Sequence, residues 1–174
     1  MPAPILATKL YVPPPRANLV LRPRLVERLN QGPHRGLTLM AAPAGYGKST
    51  LLSTWVDQRR RRDPKLRVAW LSLDEGDNDL SRFLLYLAAA LHGADPTCGA
   101  DAMAALQSPQ PPSAEAILTD LINDVDGTAG DVLLVLEDYH SVLSPEVDEA
   151  LAFLLEHLPA RLRLVIATRS KEVA

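Results

Sequence analysis

The segment "LTLMAAPAGYGKSTLLSTW", Leu37 to Trp55, constrains this chain more than any other. It joins an apolar run to an amphipathic run through a glycine-rich turn. The first run reads as a buried strand. Leu51, Leu52, Trp55 and Val56 then recur at helical spacing. Residues 42–49, "APAGYGKS", follow the pattern G-x-x-x-x-G-K-[ST], with Ala42 where the first glycine normally stands. Alanine is excluded only where φ must be positive, so this departure leaves the loop usable. Ala44, Gly45, Tyr46 and Gly47 form a turn, flexible at two glycines, whose backbone N–H groups can face phosphate oxygens. The helix start adds partial positive charge. Lys48 can reach the β and γ phosphates of a nucleotide, the Ser49 hydroxyl can ligate Mg²⁺, and Thr50 can bond the α phosphate. The plain alternative is a corner that uses glycine only for its shape. The strand before it and the helix after it favour phosphate.

The rest of the chain supplies the frame. "LRVAWLSL", "DVLLVLEDYH" and "RLRLVIATRS" read as further strands, each largely apolar, as expected when helices cover both faces of a parallel sheet. Between them, Leu80, Phe83, Leu84, Leu87 and Leu91 mark one helix. Ile117, Leu118, Leu121, Ile122 and Val125 mark a second, capped by Ser113. Val147, Leu151, Leu154, Leu155 and Leu158 mark a third, opened by Ser144-Pro145. Residues 1–21 are Pro-rich and read as an extended arm. Arg22-Pro23 opens a short helix with Leu25, Val26 and Leu29 inward, and residues 93–112 read as a loop with room for one short helix. The fold class is therefore α/β, with a three-layer, mainly parallel sheet flanked by helices.

Composition excludes several functions. With 174 residues, 47% of them apolar, and a net charge of −3, the chain can build one core but is no bulk polyanion binder. Arg59–Arg62 reads as a solvated helix end favoured by the helix dipole, so direct DNA binding is not expected. A single cysteine, Cys98, allows no intrachain disulfide and favours a reducing, cytoplasmic setting. The N-terminus lacks the pattern of a signal peptide, and no apolar run approaches membrane-spanning length, so no membrane partner is expected. The four histidines show no metal spacing, and "DEGDND", Asp74 to Asp79, does not fit a calcium loop; Asn78 and Asp79 read as a helix cap.

A phosphate loop needs a second strand ending in an acid. "VLLVLED" ends in Glu137-Asp138: one carboxylate can hold Mg²⁺ through water and the other can orient an attacking water. Asp74 and Arg169 also end strands, at the sheet edge where parallel sheets bind ligands. Arg169 there can contact a γ phosphate and distinguish ATP from ADP.

Taken together, "TKLYVPPPRANLVLRPRL", "APAGYGKSTLLSTW", "VAWLSLDEGDND", "VLEDYH", "LAFLLEHLP" and "LVIATRS" resemble the N-terminal nucleotide-binding domain of MalT-type, LuxR-family transcriptional regulators, within the STAND class of signalling P-loop NTPases. The resemblance covers nearly the whole chain. It implies an ASCE-type core over residues 36–174, with Walker A at 42–50, Walker B at 132–138 and a sensor strand at 163–169. Walker B should lie beside the sensor strand, and the sensor strand beside the phosphate-loop strand, with the last core strand missing. Residues 1–35 become an arm and short helix covering the adenine, with Arg16, Val20 and Arg22 at the base. By the same resemblance, Ser49 and Glu137 hold Mg²⁺, Glu137 and Asp138 form the second acidic motif, and Arg169 is the sensor. The family carries Asp-Asp before Tyr-His, so Glu137 is one methylene longer, which bears on hydrolysis more than on binding. The resemblance also implies an ADP-bound resting state and an ATP-bound state that self-associates. It implies further parts as well: a winged helix, a helical-repeat sensor and a helix-turn-helix. Two other readings stand beside the slow ATPase switch. One is a binding-only module holding a structural nucleotide. The other is a small phosphotransferase, although residues 93–112 contain no Lys or Arg to build a basic lid.

Overall fold

The computed structural model describes residues 4–14, 22–31, 36–43 and 47–170. Four parallel strands form one sheet in the order β1-β4-β3-β2: β1 is Leu37–Ala42, β2 Arg67–Ser72, β3 Val132–Glu137 and β4 Leu162–Arg169. β3 thus lies between β2 and β4, and β4 lies beside β1, the order that the resemblance implies. The register pairs Ala42 with Arg169 and Ser72 with Glu137, so the chemistry-bearing residues end their strands on one edge.

Side-chain alternation explains the layers. Leu134 and Leu136 of β3, Leu162, Leu164 and Ile166 of β4, and Ala69 and Leu71 of β2 join one core with helices α3 (Leu80–Ala94), α4 (Ala100–Leu106), α5 (Ala114–Asp126) and α6 (Pro145–Glu156). Leu133, Val135, Val165, Ala167 and Trp70 face the other way, toward Leu29 of α1 (Pro23–Gln31) and Leu52, Trp55 and Val56 of α2 (Lys48–Arg62). All six residues of β3 are buried, which is why its sequence is an unbroken apolar run. Each fully buried Leu or Phe contributes roughly 1.5–3 kcal/mol of transfer free energy.

The helix starts follow their caps. Asp79 accepts from the Arg82 N–H at the start of α3, Ser113 from Ala116 at α5, and Ser144 from Val147 at α6, where Pro145 fills the first turn. Trp55, wholly buried, donates its indole N–H to Asn30 Oδ1 at 2.8 Å and so ties α2 to α1.

Four sequence expectations are revised. The strand β1 is not buried throughout: it is outermost among the described residues, and its exposure alternates, with Leu39 64% exposed. Part of the extended arm is a 3-10 turn, Ala7–Leu10, seated against β2 and α3. Arg59 is not simply solvated: it is half-buried, with its guanidinium 5.9 Å from the Trp55 ring centre. Cys98 does lie in a loop, between α3 and α4, but it is buried there and has a partner: its carbonyl meets His92 Nδ1 at 2.9 Å.

Candidate functional site

The turn between β1 and α2 is described only at its ends. Ala44, Gly45 and Tyr46 lie outside the described residues, as do Arg16 and Val20. Gly47 caps α2 with φ 74°, ψ 29°, a left-handed conformation open to glycine at little cost. A Cβ there would meet nothing within 4 Å, so the backbone angle and not crowding calls for glycine. No side chain caps the helix at Gly47, so its first N–H groups have no acceptor from the cap residue. Lys48 folds back onto the strand end, donating to the carbonyls of Ala42 (2.6 Å) and Pro43 (3.2 Å). The Ala42 carbonyl also accepts from the Ser170 N–H at 3.1 Å, which locks the ends of β1 and β4 together. Thr50 is half-buried in the first turn, its carbonyl bonded by the Thr54 hydroxyl.

Across the edge stands Glu137, only 5% exposed. Its two oxygens accept hydroxyl bonds from two elements: Ser49 of α2 on Oε1, and Ser72 of β2 on Oε2 at 3.1 Å. The Trp70 indole donates to Ser72 Oγ at 3.1 Å and orients that hydroxyl. Burial raises the Glu137 carboxyl above its ordinary range, the neighbouring Asp138 raises it further, and the Ser72 bond opposes both. A hydroxyl at a helix start touching a desolvated carboxylate is a donor set for a hard cation: oxygen ligands only, one neutral and one anionic. Ser49 and Glu137 therefore fit Mg²⁺, which at this edge would neutralise phosphate charge.

Asp138 follows at φ 59°, the one non-glycine residue with positive φ among those described. Its side chain is half-buried. Strain of this kind persists where the surroundings hold it, commonly at functional sites. The chain then makes a 3-10 turn, Tyr139–Ser141, where His140 Nδ1 accepts from the Arg169 N–H at 3.1 Å. Arg169 ends β4 with its side chain exposed at the same edge. Arg22 precedes α1 and lines, with Lys48, Leu51, Arg28 and β1, a cavity of about 400 Å³.

Asp74 does not join this group. It does not end a strand as the sequence reading expects: it lies two residues past β2, the strand farthest from β1 among those described, and caps a 3-10 turn, and its carboxylate is taken by Lys9 at 3.1 Å and the Gly76 N–H at 2.8 Å, with Arg82 at 3.6 Å.

Comparison with known proteins gives one consistent likeness. The chain is 32% identical over 163 residues to the HTH-type transcriptional regulator MalT of Vibrio parahaemolyticus, a match spanning 94% of this chain. It is 34% identical over 166 residues to MalT of Cronobacter sakazakii and, equally, to MalT of Yersinia pestis. The chain is a relative of the MalT-type regulators. It spans only 17–18% of the length of these MalT proteins. No family model matches it. Among solved structures, C. elegans PCH-2 aligns with a TM-score of 0.46 at 9% identity, over 87% of this chain and 37% of that one, too distant a likeness to bear on function. Among the described residues, no helix is long and apolar enough to cross a membrane.

For this MalT relative, two residues bonded into this edge were not read from the sequence. Ser72 looks like any strand serine, and its link to Glu137 exists only through the β2–β3 register. His140 carries no spacing signal, because its partner is a backbone N–H 29 residues away.

The raised Glu137 carboxyl has a consequence in metal-free buffer. A carboxyl that holds its proton more tightly when folded weakens the fold as pH rises through its folded pKa. The variant Glu137→Gln is free of that loss. The difference in Tm between Glu137→Gln and wild type is therefore expected to move in favour of the variant from pH 4 to pH 8, as measured by thermal unfolding in EDTA.

Proposed function

We propose that this chain is a nucleotide-binding switch domain of a transcriptional regulator. It takes ATP or ADP with Mg²⁺ at the edge formed by β1, β3, β4 and the start of α2. The observation that carries the reading is the meeting of Ser49, which follows the loop lysine, with the desolvated Glu137 at the end of the apolar strand β3. In this reading Ala44, Gly45, Tyr46 and Gly47 cradle the phosphates, Lys48 leaves the Ala42 and Pro43 carbonyls for phosphate oxygens, and Thr50 bonds the α phosphate. Ser49 and Glu137 hold the cation and Asp138 orients water. Arg169 reads the γ phosphate, and Arg16, Val20 and Arg22 border the base. Bound Mg²⁺ supplies charge neutralisation on the β and γ oxygens. Hydrolysis is slow, since a switch needs a long-lived ATP state, and the ATP-bound form self-associates. The MalT relatives, regulators by their names and several times longer than this chain, support the setting in transcription and the presence of further parts in the whole protein.

The test is turnover together with retention. Purified chain incubated with Mg²⁺–ATP is expected to bind it and to release ADP far more slowly than the roughly 10 s⁻¹ of a median enzyme. Nucleotide that survives gel filtration with no turnover at all favours the structural-cofactor reading, which the Glu137 departure from the family acid supports. ADP release that needs an added acceptor favours a phosphotransferase.

A further inference from the structure

The turn between β2 and α3 is bonded to both the N-terminal arm and the loop that carries the second acid. On one side Lys9, 6% exposed, places its ammonium 2.5 Å from Asp77 Oδ2 and 3.1 Å from Asp74 Oδ2. The Asp74 N–H also donates to Asp77 Oδ2 at 2.9 Å. On the other side Asn78 uses both ends of its amide on the loop after Asp138. Its Nδ2 donates to the Ser141 carbonyl at 3.1 Å and to the Glu75 carbonyl at 2.8 Å, while its Oδ1 accepts from the Leu143 N–H at 2.6 Å. A side-chain amide in that role replaces a strand neighbour: one donor and one acceptor matched to a backbone carbonyl and N–H two residues apart.

That loop is where the backbone is least comfortable. Asp138 adopts its left-handed conformation, and Ser141 N–H closes back on the Asp138 carbonyl at 3.0 Å. His140, inside the loop, holds the Arg169 N–H. A non-glycine residue in this region costs of order 1–3 kcal/mol and persists only when its neighbours impose it. Asn78, from outside the loop, bonds its backbone at two points.

We infer that Asn78 is a positioning residue for the nucleotide site: it splints the Asp138–Leu143 loop, with the Lys9 ion pairs anchoring the turn from which it reaches. The inference rests on the nucleotide-binding reading above. Asn78 does not touch nucleotide. It sets where Asp138 stands beside Glu137, and so how well the two acids serve the cation.

The distinguishing readout is the Mg²⁺ dependence of affinity, which a loss of general stability does not move. A fluorescent ATP analogue is titrated into the 174-residue chain with Mg²⁺ and with EDTA, in wild type, Asn78→Ala and the near-isosteric Asn78→Asp. Asp keeps the acceptor for Leu143 and loses the donor to Ser141. The expected result is a Kd with Mg²⁺ raised at least fivefold in both variants, with the Kd in EDTA within twofold of wild type for Asn78→Ala. Wild type that binds no analogue ends the nucleotide reading and this inference with it. Wild type that binds, with an Asn78→Ala ratio of Mg²⁺ to EDTA affinity unchanged, overturns the inference and leaves the nucleotide reading intact. Wild type that binds equally in Mg²⁺ and EDTA overturns it as well.

Discussion

Lys9→Met is expected to lower the free energy of unfolding by about 3–5 kcal/mol, the usual cost of leaving a buried charge without its partner. Asp77 is completely buried, and the Lys9 ammonium is its nearest cation at 2.5 Å. Arg82 Nε stands 3.7 Å from the other oxygen, beyond hydrogen-bond reach, and Asp77 Oδ1 is without a hydrogen-bond partner among the described residues. The same ammonium lies 4.4 Å from the Tyr86 ring centre, and the Tyr86 hydroxyl accepts from the Leu6 N–H at 2.9 Å. One substitution thus removes the ion pairs and the ring contact that seat the 3-10 turn on β2 and α3. For a domain of this size each kcal/mol is roughly 2–4 °C, so Tm should fall by on the order of 10 °C. The pair is not expected to be irreplaceable. Lys9→Met combined with Asp77→Asn removes the orphaned charge and should recover a large part of the loss, because much of the penalty belongs to the charge left behind. Denaturant unfolding of the two single variants and the double variant measures this directly. A Lys9→Met cost below about 1 kcal/mol would mean that Arg82 or solvent satisfies Asp77 unaided.

Lys48→Ala should abolish the thermal response to nucleotide while leaving the fold in place. Wild type with Mg²⁺–ATP at ~100 times its Kd gains about 2.7 kcal/mol, because the ligand binds only the native state. That corresponds to a rise of roughly 5–10 °C for a chain of this length. The bonds lost in the ligand-free variant are those from Lys48 to the Ala42 and Pro43 carbonyls, at a part-buried strand end. A hydrogen bond in such a place is worth about 1 kcal/mol. Baseline Tm is therefore expected to drop by only a few degrees, and the variant's curve should not respond to Mg²⁺–ATP. A variant that keeps the wild-type rise would detach nucleotide binding from the loop between β1 and α2. A wild type with no rise would reduce that loop to a corner shaped by glycine.

Much of this molecule is local, and local features are what a sequence displays. The apolar runs become β2, β3 and β4 because all-round burial asks for unbroken Val, Leu and Ile. Asp79, Ser113 and Ser144 cap helices because a short acceptor side chain three residues ahead of an N–H is a matter of a few bonds. Gly47 takes the left-handed turn, and Lys48 and Ser49 open α2, within a single stretch of chain. The strand order β1-β4-β3-β2 is not local: it is the order that the family resemblance implies. The side chains that complete the site are of another kind. The bonds from Ser49 to Glu137, Lys9 to Asp77 and Asn78 to Leu143 join residues 88, 68 and 65 positions apart. No periodicity links such residues: an Asn before a cap looks the same whether it faces water or splints a distant loop. The outer position of β1 belongs here too, since Leu37 and Leu39 read as buried until the sheet shows which strand is outermost among the described residues. The apolar runs, the caps and the glycine turn into α2 were thus determined by neighbours along the chain. The clamp at Lys9, the splint at Asn78 and the desolvation of Glu137 were decided by packing, because only closure of the sheet brings those charges and amides out of water and into contact.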